Sequence, residues 1–162
     1  MARDANRPLR VVQFSDSHLF ASTDGKLLGL NTDDSLNRVL DLIEKEQPAM
    51  DLLLATGDLS QDASVASYRR LLGKLERFPV PCYWLEGNPD VTAPMRESLG
   101  SPEKLSPCVV EVGNWSIVML DSTIPYEVPG ELDEGDLAFL EQSLDAARGR
   151  HVIPRLWKAI GA

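Results

Sequence analysis

Residues 9–18, LRVVQFSDSH, join a short apolar run directly to a carboxylate and an imidazole. The run has the length and composition of a buried strand, so residues 9–15 are predicted to form the first strand. Asp16 and His18 then lie just beyond its carboxyl end. A single Asp or His after a strand is more often a turn or surface residue than a ligand, so this segment alone decides no function.

The same arrangement occurs at two later strands. Residues 51–56, DLLLAT, predict a second strand that is followed by Gly57-Asp58. Residues 81–86, PCYWLE, predict a third strand that is followed by Gly87-Asn88. Each dipeptide is also a common turn when it is taken singly.

A helix is predicted after each of the first two strands. Thr32 offers an N-cap for the first helix, and Pro48 closes it. The second helix is predicted over residues 63–77. The residues expected on the inner faces are Leu36, Val39, Leu40 and Ile43 in the first helix, and Tyr68, Leu71, Leu72 and Leu75 in the second. This alternation predicts an α/β fold that begins with parallel strands.

The second half predicts a short helix over residues 92–99 and then a hairpin. The hairpin strands are residues 108–112 and 115–121, around Gly113-Asn114. A last helix is predicted over residues 134–147, with Leu137, Leu140 and Leu144 on its inner face. His151 is expected at a solvated strand start, and Pro154, Arg155 and Lys158 are expected to interrupt the strand after it.

Composition limits the classes of partner. The chain has 162 residues and a net charge of −9, which favours one domain and argues against a nucleic-acid polymer or an anionic membrane. No apolar run is long enough for a membrane span, and the N-terminus lacks the apolar core of a signal peptide. Cys82 and Cys108 are expected to be reduced thiols, and the protein is expected to be cytoplasmic. The oligomeric state stays open.

The three strand ends together indicate a metal cluster. Ligands of open α/β sheets bind beyond the carboxyl ends of the strands, where Asp16, His18, Asp58 and Asn88 would converge. These oxygen and nitrogen donors suit divalent Mn, Fe, Zn, Co or Mg. The set therefore predicts a two-metal cluster in which one carboxylate bridges.

The ordered motifs D-x-H, G-D and G-N-x-D resemble those of the calcineurin-like metallophosphoesterases. The segments SDSHLFASTDGKLLGLNTDDS, ATGDLSQDASVASYRRL and PGELDEGDLAFLEQSL are similar to the bacterial 3',5'-cyclic AMP phosphodiesterases of that family. The resemblance covers residues 9–151. It implies a truncated form of a four-layer α/β/β/α sandwich: one incomplete domain over residues 1–162, with an aberrant tail over residues 152–162.

The resemblance also implies roles for the site residues. Asp16 and His18 would hold the first metal, Asp58 would bridge both metals, and Asn88 would hold the second. His18, Asp58 and Asn88 would contact the substrate, a small cyclic nucleotide that becomes 5'-AMP. Iron or manganese is the expected metal pair, with zinc, cobalt or magnesium as alternatives.

Two departures from the family pattern put activity in doubt. The family has a histidine where this chain has Pro89, and the following Asp orients that histidine, so Asp90 is left with nothing to orient. The family's later histidine motifs, which complete both metal shells, are absent, and the chain has only two histidines. At most one weakly held metal is expected.

Three functions therefore stay open at this point. The chain is an impaired metal-dependent cyclic nucleotide phosphodiesterase, a non-catalytic remnant, or a module that binds a metal or a nucleotide without turnover.

Overall fold

The computed structural model describes residues 7–88, 90–124 and 129–157. The predictions on Pro89 and Lys158 fall outside these described residues. The strands are β1 (Val11–Ser15), β2 (Lys26–Leu27), β3 (Leu30–Asn31), β4 (Leu52–Thr56), β5 (Cys82–Leu85), β6 (Cys108–Val112), β7 (Trp115–Met119) and β8 (His151–Arg155). The α-helices are α1 (Thr32–Glu46), α2 (Val65–Leu75), α3 (Thr92–Leu99) and α4 (Glu134–Ala146), and a 3-10 helix covers Pro102–Lys104.

The first sheet has the strand order β1-β4-β5, and all of its pairs are parallel. Its register places Ser15 opposite Thr56, and Thr56 opposite Leu85. The three strands therefore end at the same level, and the residues after them meet at one edge. This confirms the predicted α/β order and the predicted convergence of the strand ends.

Helices α1 and α2 cover one face of this sheet with the apolar stripes that the sequence predicted. Leu36, Leu40 and Ile43 of α1 are buried in the same core as Tyr68 and Leu71 of α2. This core also contains the side chains of β1, β4 and β5 that point toward the helices. Of the residues predicted for the inner face of α1, Val39 is 42% exposed, because it lies at the edge of the stripe.

The N-cap of α1 is one residue earlier than predicted. Asn31 has an extended backbone, and its side chain accepts a hydrogen bond from the Asp34 N–H. Thr32 is already the first helical residue, so the prediction of Thr32 as N-cap is wrong. Asn satisfies the free amides of a first turn at least as well as Thr does. Helix α2 is shorter than predicted, because Ser64 caps it and it ends at Leu75.

The second sheet has the order β6-β7-β8. Strands β6 and β7 form the predicted hairpin, and Val112 pairs with Trp115 across Gly113-Asn114. Gly113 has a φ of 55°, which a glycine adopts without strain. The inner faces of the two sheets pack together through a second core, which includes Leu52, Leu54, Leu85, Val110, Ile117 and Met119.

Strand β8 corrects the prediction that Pro154 and Arg155 interrupt the chain's last strand. It runs parallel to β7, with Pro154 opposite Val118 and Arg155 opposite Met119. Because β8 is an edge strand of the described sheet, a proline within it need not remove a ladder hydrogen bond. His151 begins this strand and is exposed, as predicted.

Helix α4 turns a different face to the protein than the sequence predicted. Leu137 is 52% exposed and Leu144 is 45% exposed, whereas Leu140 is half-buried, so most of the predicted inner face points outward. Ser143 and Ala147 are the buried residues of this segment, and they line a groove between it and strands β6 and β7. Among the described residues, no helix is long and apolar enough to cross a membrane.

Candidate metal centre

The residues after β1 and β4 have an unusual backbone. Asp16, His18 and Asp58 have φ values of 57°, 44° and 40°, in the left-handed region that disfavours side chains with a Cβ. They are three of the five described non-glycine residues with a positive φ. Strained backbone of this kind persists where the surroundings enforce it, and it concentrates at functional sites.

Hydrogen bonds between the two segments enforce this backbone. The Asp16 N–H donates to the Gly57 carbonyl at 3.1 Å, and the His18 N–H donates to the Asp58 carbonyl at 2.9 Å. Leu19 continues the ladder by donating to Leu59 at 3.0 Å. The two loops therefore extend the pairing of β1 with β4 beyond the strands and hold their side chains together.

The side chains of Asp16, His18 and Asp58 converge on one point. One ligand atom from each lies within 4.8 Å of the others. His18 Nε2 lies 3.8 Å from Asp58 Oδ2. Two ligands at about 2.0–2.2 Å from one ion lie up to about 4.4 Å apart, so small side-chain movements would let all three bind the same ion. Two carboxylates and one imidazole fit a divalent metal of the hard or borderline kind.

Gln61 fixes the orientation of the His18 ring. Its Oε1 lies 2.9 Å from His18 Nδ1. An amide oxygen only accepts, so this contact places the proton on Nδ1 and leaves Nε2 free to bind a metal beside Asp58. Gln61 is not among the residues predicted from the sequence, although its position three residues after Asp58 in the same loop is a usable signal.

The third strand end reaches the site through backbone contacts. The Asn88 N–H donates to Asp58 Oδ1 at 2.8 Å. A Cβ on Gly87 would lie 1.8 Å from the Asp58 nitrogen, so only glycine allows this approach. The structure thus brings Asn88 beside Asp58, while metal binding by the Asn88 side chain stays a prediction.

The comparison with known proteins agrees with this geometry. A family model described as Calcineurin-like phosphoesterase matches residues 9–158. The chain belongs to the calcineurin-like phosphoesterase family. The resemblance that the sequence motifs indicated is therefore confirmed, and the matched region extends past residue 151 through β8.

Similar proteins carry names from one group of enzymes. The chain is 41% identical over 158 residues to the 3',5'-cyclic adenosine monophosphate phosphodiesterase CpdA of Pseudomonas aeruginosa, covering 94% of this chain and 58% of that protein. It is 41% identical over 148 residues to CpdA of Escherichia coli K12, with 90% and 53% covered. It is 34% identical to a 3',5'-cyclic-nucleotide phosphodiesterase of Nostoc, with 85% and 52% covered. The chain spans a little over half the length of these relatives.

The Asp90 carboxylate is held by four hydrogen bonds, while the expectation that it has no histidine to orient stays a prediction. Its carboxylate accepts hydrogen bonds from the N–H groups of Leu59 at 2.9 Å, Ser60 at 2.8 Å and Gly87 at 2.9 Å. The Tyr68 hydroxyl adds a fourth at 2.9 Å. Burial raises the pKa of Asp90, and these four donors oppose the shift. Asp90 thus ties the loop after β5 to the loop after β4.

Glu86 is a second buried carboxyl at this edge. It is 5% exposed, and the Thr92 hydroxyl donates to it at 2.9 Å. Burial raises the pKa of Glu86 to about 7, and the negative charges of Asp121 and Asp90 contribute in the same direction.

The prediction that Cys82 and Cys108 are free thiols is confirmed, since both are free cysteines.

Proposed function

We propose that this chain carries part of the metal centre of a phosphodiesterase that hydrolyses 3',5'-cyclic AMP, or a closely related cyclic nucleotide, to 5'-AMP. The observation that carries the proposal is the convergence of Asp16, His18 and Asp58. The names of the relatives support the choice of substrate. The proposal concerns the whole enzyme as well as this chain, because the relatives are longer.

A divalent ion at this cluster would supply a Lewis acid for the phosphodiester and activate water at neutral pH. The chain's own residues prepare the site for it. His18 presents Nε2 because Gln61 binds its other nitrogen. Asp58 turns Oδ2 toward His18, while its Oδ1 accepts from Asn88. We propose that His18, Asp58 and Asn88 also contact the substrate phosphate.

We propose that the first metal site is the stronger one in this chain. Asp16, His18 and Asp58 give it three ligands, whereas a second site would have only Asp58 and Asn88. Iron or manganese in the first site fits this donor set, and zinc, cobalt or magnesium would fit as well. We further infer that the packed helices and sheets are part of the family's four-layer α/β/β/α sandwich, forming one incomplete domain.

Pro89 is the second reason to expect slow turnover, and its effect is smaller than that of the poorly liganded second metal site. Proline has no side-chain donor, so nothing at this position can donate to the phosphate or the leaving oxygen. Loss of one transition-state donor commonly lowers the rate about a hundred- to a thousandfold. We propose that Asp90 supports catalysis as a positioning residue, through the loop that it ties to Leu59 and Ser60.

The test is the release of 5'-AMP from 3',5'-cyclic AMP with added manganese. The unmodified chain should be slow, Asp58→Asn should abolish what remains, and Asp145→Asn is the control, because Asp145 is an exposed residue of α4. Pro89→His should add little, because a two-metal cluster would still be incomplete. Turnover that Asp58→Asn leaves unchanged would refute the proposal.

Two other outcomes would assign the chain to the alternatives. Manganese-dependent nucleotide binding without turnover would make it a binding module. Absence of both metal and nucleotide binding would make it a non-catalytic remnant.

A further inference from the structure

A mostly apolar cleft lies beside the metal ligands. It has a volume of about 300 Å³ and is formed by the end of β1, the β2–β3 hairpin and the first turns of α1. Asp16 and His18 are part of its lining. The apolar residues of its wall are Phe14, Leu27, Leu28, Leu30, Leu36 and Val39. The cleft and the metal cluster are therefore two parts of one continuous surface.

The hairpin that walls the cleft exposes leucines at a strained turn. Leu28 has a φ of 51° and is fully exposed, and Gly29 after it has a φ of 86°. Leu30 is 58% exposed. A leucine in the left-handed region costs on the order of 1 kcal/mol, and here it buries nothing within the chain in return. This combination indicates an apolar surface that is kept for a ligand.

The base of the hairpin is held in place, so the cleft is preformed. Asn31 Nδ2 donates to the Thr23 carbonyl at 2.9 Å, and the Thr32 N–H donates to Gly25 at 3.3 Å. The Phe20 ring packs so closely on Gly25 that a Cβ there would lie 2.3 Å from it. A preformed wall lowers the ordering cost of binding.

We propose that this cleft binds the nucleobase of the cyclic nucleotide whose phosphodiester lies at Asp16 and His18. The proposal rests on the function proposed above and names the substrate group that the neighbouring surface takes. A nucleobase offers two apolar faces, which suit leucine walls, and edge groups that the hydroxyls of Ser15, Thr32 and Ser35 in the lining can hydrogen-bond.

Size and charge both favour the base over the phosphate as the occupant. The volume lies at the lower end of the range of about 300–1,000 Å³ for small-molecule pockets, which suits one part of a nucleotide. The described lining contains no Lys or Arg, so it has no fixed cation for a phosphate. The phosphate would instead reach the metal at Asp16 and His18, at one end of the cleft.

The first arm of the test uses adenosine on the metal-free protein, in EDTA, observed by saturation-transfer NMR. Leu30→Ala removes a cleft residue, and Leu42→Ala is the matched control, because both leucines are 58% exposed and Leu42 is outside the cleft. We expect Leu30→Ala to weaken adenosine binding about three- to tenfold, and Leu42→Ala to leave it unchanged. Equal binding by both variants, or no binding by the unmodified chain, would overturn the proposal.

The second arm separates this inference from the proposed function. It compares 3',5'-cyclic AMP with the base-free ribose 3',5'-cyclic phosphate, with and without zinc. Zinc should strengthen the binding of both ligands, and Leu30→Ala should weaken the binding of cyclic AMP alone. If zinc strengthens the binding of neither ligand while Leu30→Ala still weakens adenosine binding, the proposed metal function is wrong and the assignment of the cleft is retained. If zinc strengthens the binding of both ligands and Leu30→Ala weakens the binding of neither, the assignment of the cleft is wrong and the proposed metal function is retained.

Self-association through the exposed leucines of the hairpin is the alternative to nucleobase binding. Sedimentation of the chain and of Leu30→Ala tests it directly. A dimer that Leu30→Ala dissociates, together with no adenosine binding, would assign the hairpin to a subunit interface and overturn the proposal.

Discussion

Helices α1 and α4 both carry leucines at helical spacing, but the surroundings of these leucines differ. Leu36 and Leu40 of α1 are 4% and 0% exposed, whereas Leu137 and Leu144 of α4 are 52% and 45% exposed. Helix α1 packs its leucines on the first sheet, while Ser143 of α4 lines a groove beside the second. Periodicity identifies the apolar face of a helix, but it does not show whether this chain contains the layer that covers it.

The Asp residues that follow strands of the two sheets also have different surroundings. Asp58 follows β4 with a left-handed backbone, and its side chain points to His18. Asp121 follows β7, but its Oδ1 accepts hydrogen bonds from the N–H and the hydroxyl of Thr123 at 2.9 and 2.8 Å. An Asp after a strand is therefore a candidate ligand in one sheet and a local turn residue in the other. Strain and convergence distinguish the two.

The largest expected change in stability comes from truncating a buried leucine of α1, and the matching change in α4 provides the comparison. Leu40→Ala should lower the free energy of unfolding by about 2–5 kcal/mol, because it leaves a cavity in a closed core. Leu144→Ala should lower it by less than about 1 kcal/mol, because nearly half of its side chain is already solvated. Urea denaturation of both variants is the measurement. Equal losses would show that α4 has a covered apolar face in solution.

Glu86 should make the stability of the metal-free protein depend on pH. Its pKa is about 7 in the folded protein and 4.5 for a free glutamate, so the folded state binds this proton more tightly. The resulting stability is present below pH 4.5 and is lost as the pH rises through 7. Glu86→Gln should therefore gain stability relative to the unmodified chain between pH 5 and pH 8, by roughly 2–3 kcal/mol. Urea unfolding in EDTA at both pH values measures this, and a pH-independent difference would show that Glu86 titrates normally.

Substitution of two glycines by alanine should change the stability in opposite directions. Gly87→Ala should destabilise by about 1–3 kcal/mol, because its Cβ would meet the Asp58 backbone. Gly73→Ala should stabilise by about 0.5–1 kcal/mol, because Gly73 lies within α2 with no atom within 4 Å of the added Cβ. Thermal unfolding of both variants is sufficient. A stable Gly87→Ala protein would mean that the loop after β5 does not approach Asp58 this closely.

Gln61 offers a smaller effect that is specific to the metal site. Gln61→Leu removes the partner of His18 Nδ1 and should weaken zinc binding about 10- to 100-fold. Gln61→Glu keeps an acceptor and should retain most of the affinity. Competition with a chromogenic chelator measures both. Equal losses in the two variants would show that Gln61 acts on the fold of the loop rather than on the ring.

The sequence was sufficient to predict the parallel sheet and the convergence of Asp16, His18 and Asp58, because both depend on local rules. Apolar runs that end in Asp16 and Asp58 place these residues at the strand ends, and parallel pairing brings them together. It was insufficient for the inner face of α4 and for the hydrogen bonds of Asp90. Both depend on which distant segment lies opposite, and the pattern along a single segment carries no information on that.

Proline at position 154 illustrates the same limit. Its presence indicated an interrupted strand, since proline removes a donor from a ladder. The structure places it in β8, which is paired with β7 on one side and forms the edge of the described sheet. Whether a proline ends a strand depends on its neighbours in the sheet, and these are set by the topology.

We expect Asp16, His18 and Asp58 to form one divalent metal site. Equilibrium dialysis against manganese or zinc, followed by elemental analysis, tests it most directly on the unmodified chain, Asp58→Asn and the control Asp145→Asn. We expect at most one ion per chain, weakly held, with occupancy lost in Asp58→Asn and unchanged in Asp145→Asn. Two tightly held ions per chain, or equal occupancy in Asp58→Asn, would contradict it.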